Sequence, residues 1–164
     1  MAGQNEEESN TMVVSALYEA LSSGDVDTVH WLLAPAIERW FHGPHCHQQH
    51  MVQLLTGKSS NFTSTTAPSA KQMTSSFIFR PVSIFALGSL VLVEGGNRSR
   101  NVTWVHAWSV TEGIITHVRE YFNTSVTATR FEKSKTLLNS GSCRHVWESK
   151  LCDSMSVPGL ILVL

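Results

Sequence analysis

A chain of 164 residues is long enough for one domain with its own core and short for two. Only 15% of the residues are charged against 42% hydrophobic, so Ser, Thr and His carry much of the polarity and the surface should be neutral and hydroxyl-rich. A formal net charge of -1 and a pI near 6.7 leave no basic field for a phosphate backbone, which excludes nucleic acid as an expected partner.

The opening MAGQNEEESN is polar and acidic, with neither the basic nor the apolar region of a secretory signal. A disordered N-terminus over residues 1–10 is expected, in a protein that stays in the cytoplasm or nucleus and is not secreted. In that reducing setting Cys46, Cys143 and Cys152, which show no CxxC spacing, should be free thiols, and the sequons at Asn61, Asn97, Asn101 and Asn123 should go unused.

Met12, Val13, Ala16, Leu17, Ala20 and Leu21 recur at helical spacing, and Gly24 suits the left-handed position that ends a helix. Asp25 can cap a second helix carrying Val26, Val29, Leu32 and Leu33, which Pro35 stops. Period two then marks a strand over 36–42, broken at Gly43-Pro44, and a third helix is predicted over about Gln48 to Thr56. Residues 58–76 turn to Ser, Thr, Asn, Ala and Pro and read as a long flexible loop.

Four strand-like runs follow: Phe77 to Leu87, Ser89 to Glu94, Val102 to Val110 and Ile114 to Phe122, with Pro81 marking an edge or bulge and Gly95-Gly96-Asn97 a reversal. The domain should thus span 11–124. A polar extension over 125–164 ends in an apolar tail, Val157 to Leu164, far below the ~20 residues a bilayer needs; no membrane is expected, and the tail should dock on the domain or a partner. Helices first and a mostly antiparallel sheet after them make an α+β fold.

The last two strands form a hairpin around Thr111-Glu112-Gly113, which suits a three-residue loop with a left-handed glycine and a G1 bulge. In that register Trp108 faces Thr116, His106 faces Val118 and Trp104 faces Glu120, and one face collects Trp104, His106, Trp108, Glu120 and Phe122. A two-residue Glu-Gly turn would reverse the faces of the second strand. A carboxylate and an imidazole on an aromatic wall suit acid-base chemistry, with Glu120 as base and His106 as its partner. The plainer reading makes the tryptophans core, His106 a core histidine with its hydrogen bonds met, and Glu120 the partner of an arginine. Between the two stands a ligand pocket without chemistry, lined by Trp40, His42, Trp104, His106, Trp108, Val118, Glu120 and Phe122.

His42, His45, Cys46, His47 and His50 crowd nine residues, but Pro44 interrupts the run and no second ligand pair stands at metal spacing. No metal is expected; His42 should lie at the pocket mouth, with His45, His47 and His50 at the surface or leading into the third helix. No phosphate loop, GxSxG elbow or HExxH helix is present, and no cofactor is expected.

Leu17-Tyr-Glu-Ala-Leu, Ser23-Gly-Asp-Val26, Leu32-Leu-Ala-Pro35, Trp40-Phe-His-Gly-Pro44, Trp104-Val-His-Ala-Trp108, Val118-Arg-Glu-Tyr-Phe-Asn-Thr124, Trp147-Glu-Ser-Lys-Leu and Ser156-Val-Pro-Gly-Leu160 resemble the wound-induced proteins of plants, within the nuclear transport factor 2-like (SnoaL-like) superfamily. The stretches at 59–76 and 131–142 look longer than that pattern. The resemblance implies a cone, in which a strongly bent, mostly antiparallel sheet wraps three N-terminal helices around a pocket. It also implies a small protein of wounding, stress or senescence, and a homodimer through the outer sheet face, here Thr103, Val105, Ala107 and Tyr121.

The superfamily holds isomerases, polyketide cyclases and limonene epoxide hydrolases beside non-catalytic binders, so the fold does not settle the function. Glu120 matches the position of a catalytic aspartate in the last strand of the epoxide hydrolases. Their arginine and second aspartate have no counterpart in Val93-Glu-Gly-Gly-Asn97, and the acidic base of the isomerases is matched by Trp40. The expectation is a protein that binds a small, largely apolar molecule. The alternatives are an enzyme of isomerase, cyclase or epoxide-hydrolase type and a protein-interaction module.

Overall fold

Two polar residues near the start of the chain hold a distant turn. In the computed structural model, which describes residues 2–57, 77–124, 129–130, 145–151 and 160–164, Asn10 donates from Nδ2 to the Gly88 carbonyl at 3.0 Å, and the Gly88 N–H donates to Glu7 Oε1 at 3.0 Å. Helix α1 therefore spans Ala2–Ser23, and residues 2–10 are helical instead of the expected disordered tail. Its buried stripe is Val14, Leu17 and Tyr18, and Met12, predicted to face inward, is exposed.

Gly24 takes the left-handed conformation, φ +73°, and the Asp25 N–H returns to the Ala20 carbonyl at 2.9 Å, closing the helix as predicted. Asp25 then caps α2 (Val26–Leu32) by accepting from the Thr28 N–H at 3.1 Å.

Strand β1 (Leu33–His42) begins three residues before the predicted strand, and Pro35 is tolerated because β1 lies at the sheet edge. Helix α3 is His50–Leu55, shorter than predicted. The long loop expected over 58–76 lies outside the described residues, as do Cys143 and Cys152.

The main sheet contains β1, β2 (Pro81–Leu87), β3 (Leu90–Asn97), β4 (Val102–Thr111) and β5 (Ile114–Phe122) in the order β1-β5-β4-β3-β2. Within this sheet the β1–β5 pair is parallel and the other three pairs are antiparallel. Phe77 to Arg80 is not strand; Pro81 opens β2, where its missing N–H costs little. β3 also runs on through Gly95 and Gly96, so the predicted reversal there moves to Arg98–Arg100, with Asn101 left-handed at φ +51°. A side chain at Gly95 would meet the Trp104 indole at 2.3 Å, and this glycine is what lets the ring lie against β3.

On the inner face, Val14, Leu17, Tyr18, Val29 and Met51 pack against Trp104, Trp108 and Phe122. On the outer face, Leu92, Val105, Ala107 and Tyr121 form a second cluster with Leu160 and Leu162. Leu162 belongs to β8 (Ile161–Val163), which pairs with β7 (Val146–Glu148) and β6 (Thr129–Arg130). Ser149 Oγ donates to the buried Glu94 Oε2 at 2.7 Å and anchors this layer. The described end of the apolar tail, residues 160–164, thus docks on its own domain, as one expectation had it. It also covers the surface expected to carry a dimer: Thr103, Val105, Ala107 and Tyr121 are all buried in the single chain. A curved sheet over three helices is the α+β cone of the nuclear transport factor 2-like fold.

Candidate functional site

The site is set by the β4–β5 hairpin. Glu112 and Gly113 both have positive φ, +51° and +79°, and Thr111 pairs directly with Ile114. This is a two-residue primed turn, not the predicted three-residue loop. Left alone, that turn would bring Arg119 opposite His106 and point Glu120 outward. The ladder instead shifts by one residue, Val110 pairing with Ile115 but Ser109 with His117, so Thr116 is an extra residue. The bulge restores the predicted face with different partners: Trp104 lies across from Phe122, His106 from Glu120 and Trp108 from Val118.

Those six residues are all buried on the inner face, among the core residues or at its polar centre. Trp40 and His42 do not join them. In β1, Arg39 pairs with Val118 and Phe41 with Glu120, so alternation sends Ile37, Arg39 and Phe41 inward and Trp40 and His42 outward. Trp40 is 44% exposed, stacks on His42 at 5.5 Å and touches Tyr121 on the outer face. Both are corrected from the pocket to the opposite side of the sheet.

Two side chains that sequence reasoning missed complete the polar centre. Arg39 donates from Nε to Glu120 Oε2 and from Nη2 to the Gln48 carbonyl. Tyr18 Oη stands 2.6 Å from His106 Nδ1 and accepts from Trp108 Nε1 at 3.0 Å. The apolar frame of Ile37 and Phe41 carried a signal for Arg39, lying two residues from each. Tyr18 was legible as the i+4 neighbour of Val14 on α1.

His106 Nε2 and Glu120 Oε1 are 3.7 Å apart, beyond hydrogen-bond range, and both atoms are buried with no hydrogen-bond partner among the described residues. Aromatic rings surround them: Trp104 stacks on the imidazole at 4.6 Å, and Phe79 meets it edge-on at 4.8 Å.

The charge states follow from this enclosure. Burial raises the Glu120 carboxyl to about 7, although the charge and hydrogen bond of Arg39 pull the other way. Burial, then the Arg39 charge, holds His106 well below its ordinary range, so the imidazole is neutral. Burial likewise raises Tyr18, which keeps its proton. A neutral imidazole beside a carboxyl that titrates near neutrality can hold or move a proton and can orient a polar group.

The histidine run lies beside this centre. His47 Nδ1 and His50 Nε2 are 3.0 Å apart, His47 stacks on Phe122 at 5.3 Å and His50 on Phe77 at 4.5 Å. His45 and Cys46 are exposed, and no group of three metal-capable side chains occurs among the described residues.

Residues 53–164 match the family described as Wound-induced protein WI12. The chain belongs to the WI12 family. It is 48% identical over 116 residues to Wound-induced protein 1 of Solanum tuberosum, covering 69% of this chain and 100% of the relative. It is 42% identical over 98 residues to Senescence associated gene 20 of Arabidopsis thaliana, covering 55% of this chain and 89% of that one. Among solved structures, Bal32a from a soil-derived mobile gene cassette is 18% identical, covers 71% of this chain and 91% of its own, and superposes with a TM-score of 0.50, a likeness of fold alone. The WI12 segment includes His106, Glu120 and the C-terminal strands, whereas Tyr18 and Arg39 precede it.

Proposed function

We propose that this WI12-family protein serves in the response to wounding, stress or senescence by binding a small, largely apolar molecule inside the cone. The names of its two relatives support the biological setting. The binding reading rests on one observation: His106 Nε2 and Glu120 Oε1 are buried inside an aromatic shell without hydrogen-bond partners among the described residues. Buried polar atoms left unmatched are costly, and a ligand that matched them would gain accordingly. Trp104 and Trp108 stand within this shell and report on it. Titrating a Trp31→Phe/Trp40→Phe background with a library of apolar metabolites should give saturable quenching, weakened by Glu120→Gln. No saturable change across the library would overturn the proposal.

One observation favours a second reading, catalysis of isomerase, cyclase or epoxide-hydrolase type. Glu120 titrates near 7, where a general base is most useful, and Arg39 supplies a cation from β1 that the Val93 to Asn97 stretch does not. Under this reading Glu120 takes the proton and His106 orients the reacting group. Turnover that survives Glu120→Gln unchanged would rule it out.

A further inference from the structure

The hydrogen-bond polarity of the site can be read from its donors. An indole nitrogen only donates, so Trp108 Nε1–H gives its proton to Tyr18 Oη. Tyr18 keeps its own proton, and among the described residues the acceptor in reach is His106 Nδ1, at 2.6 Å. A neutral His106 that accepts at Nδ1 must carry its proton on Nε2. Once Glu120 is ionised, above about pH 7, Arg39 occupies its Oε2 and leaves Oε1 as the acceptor. The two unmatched atoms are thus one donor and one acceptor, 3.7 Å apart.

We infer that this pair selects a hydroxyl group on the apolar ligand, accepting from His106 Nε2–H and donating to Glu120 Oε1. The inference rests on the binding reading above and names its ligand class. An oxygen at the ordinary length of about 2.8 Å from each atom spans the gap. A ketone or ether only accepts and leaves Oε1 unmet. A ligand carboxylate would face the lone pairs of Oε1, and an ammonium would face the Nε2 proton. The Arg39–Glu120 pair brings no net charge that would favour either ion.

The test has two arms. Histidine ring 15N spectra of the unliganded protein should show His106 protonated at Nε2 alone; a proton on Nδ1 or a cationic ring overturns the inference whatever binds. Calorimetry at about pH 8.5, where Glu120 is ionised, should then compare alcohol, ketone and methyl ether on each of three skeletons: menthol, borneol and 1-decanol with their matched derivatives. The alcohol should bind about tenfold tighter than its ketone or aldehyde and its ether on at least one skeleton. Tyr18→Phe, which releases the tautomer, should narrow that ratio. Equal binding of all three derivatives overturns the hydroxyl assignment and leaves the binding reading standing. No binding by any of the nine, with a proper fold shown by the same spectra, overturns the assignment, while the wider library decides the binding reading.

Discussion

His106 and Glu120 face each other directly across the β4–β5 ladder, both fully buried, with Nε2 and Oε1 3.7 Å apart. That juxtaposition depends on a single extra residue, Thr116, which reverses the effect of the two-residue turn. Each member is then held from a different helix or strand. Tyr18 of α1 fixes the far side of the imidazole, and Arg39 of β1 fixes the far side of the carboxylate. Helix, edge strand and hairpin therefore meet at one polar point inside an apolar cone.

Removing Arg39 should be costly in a way that removing Glu120 as well repairs. Arg39→Gln leaves a buried carboxyl without its cation, at a cost of about 3 kcal/mol and with Glu120 protonated to higher pH. Arg39→Gln/Glu120→Gln leaves no buried charge and should recover a large part of that loss. A double-mutant cycle by urea unfolding measures this. Additive costs would mean that the pair contributes nothing through its charges.

Two opposing titrations should flatten the acid side of the stability profile. In the unfolded chain a glutamate ionises near 4.5, but folded Glu120 keeps its proton to about 7. The folded state binds the extra proton between those values, so this contribution falls as pH rises, by up to about 3 kcal/mol. His106 has the opposite sign: its folded value lies below 6.5, and stability is lost as pH falls below that value; burial gives His47 and His50 the same sign. Glu120→Gln removes only the first contribution. Its stability should therefore drop more steeply than that of the wild type between about pH 7 and pH 5. Parallel profiles would show that Glu120 is already ionised in mild acid.

The inner face of the hairpin was legible because period-two alternation is strong in Trp104-Val-His-Ala-Trp108, and only its register was not. A bulge leaves no mark in composition, and Thr116 looks like any strand residue. Trp40 misled for a physical reason. A large aromatic side chain is expected inside, yet here Ile37 and Phe41 claim the inner face and the outer face of β1 shelters Trp40 against Tyr121. The first ten residues look like a tail because Glu7 and Asn10 are polar, but their partners are backbone groups of Gly88, which no local pattern reveals.

Gly95→Ala should destabilise the protein by crowding the ring that stacks on His106. The new methyl would stand 2.3 Å from the Trp104 indole and 2.4 Å from the Arg80 carbonyl, and the carbonyl cannot swing away like the end of a flexible side chain. Overpacking of this kind costs about 1–3 kcal/mol. Thermal unfolding measures it, and Gly88→Ala is no fair control because Gly88 has φ +56°. A neutral outcome would mean that Trp104 has another rotamer open to it.

The C-terminal strand should prove a structural part of the domain. Leu160 and Leu162 are almost completely buried against Leu92, Val105, Ala107 and Tyr121, and the neighbouring Ser149 meets the buried carboxylate of Glu94. Leu162→Ala removes buried side-chain volume and should cost about 2–4 kcal/mol. Leu162→Asp places a charge in that layer and should release β8, exposing the apolar outer face of β4 and β5. Light scattering should then show self-association at micromolar concentration, while Leu162→Ala stays as disperse as the wild type. If Leu162→Asp unfolds as the wild type does and remains monodisperse, β8 contributes nothing to the fold, and the outer face is covered by other means.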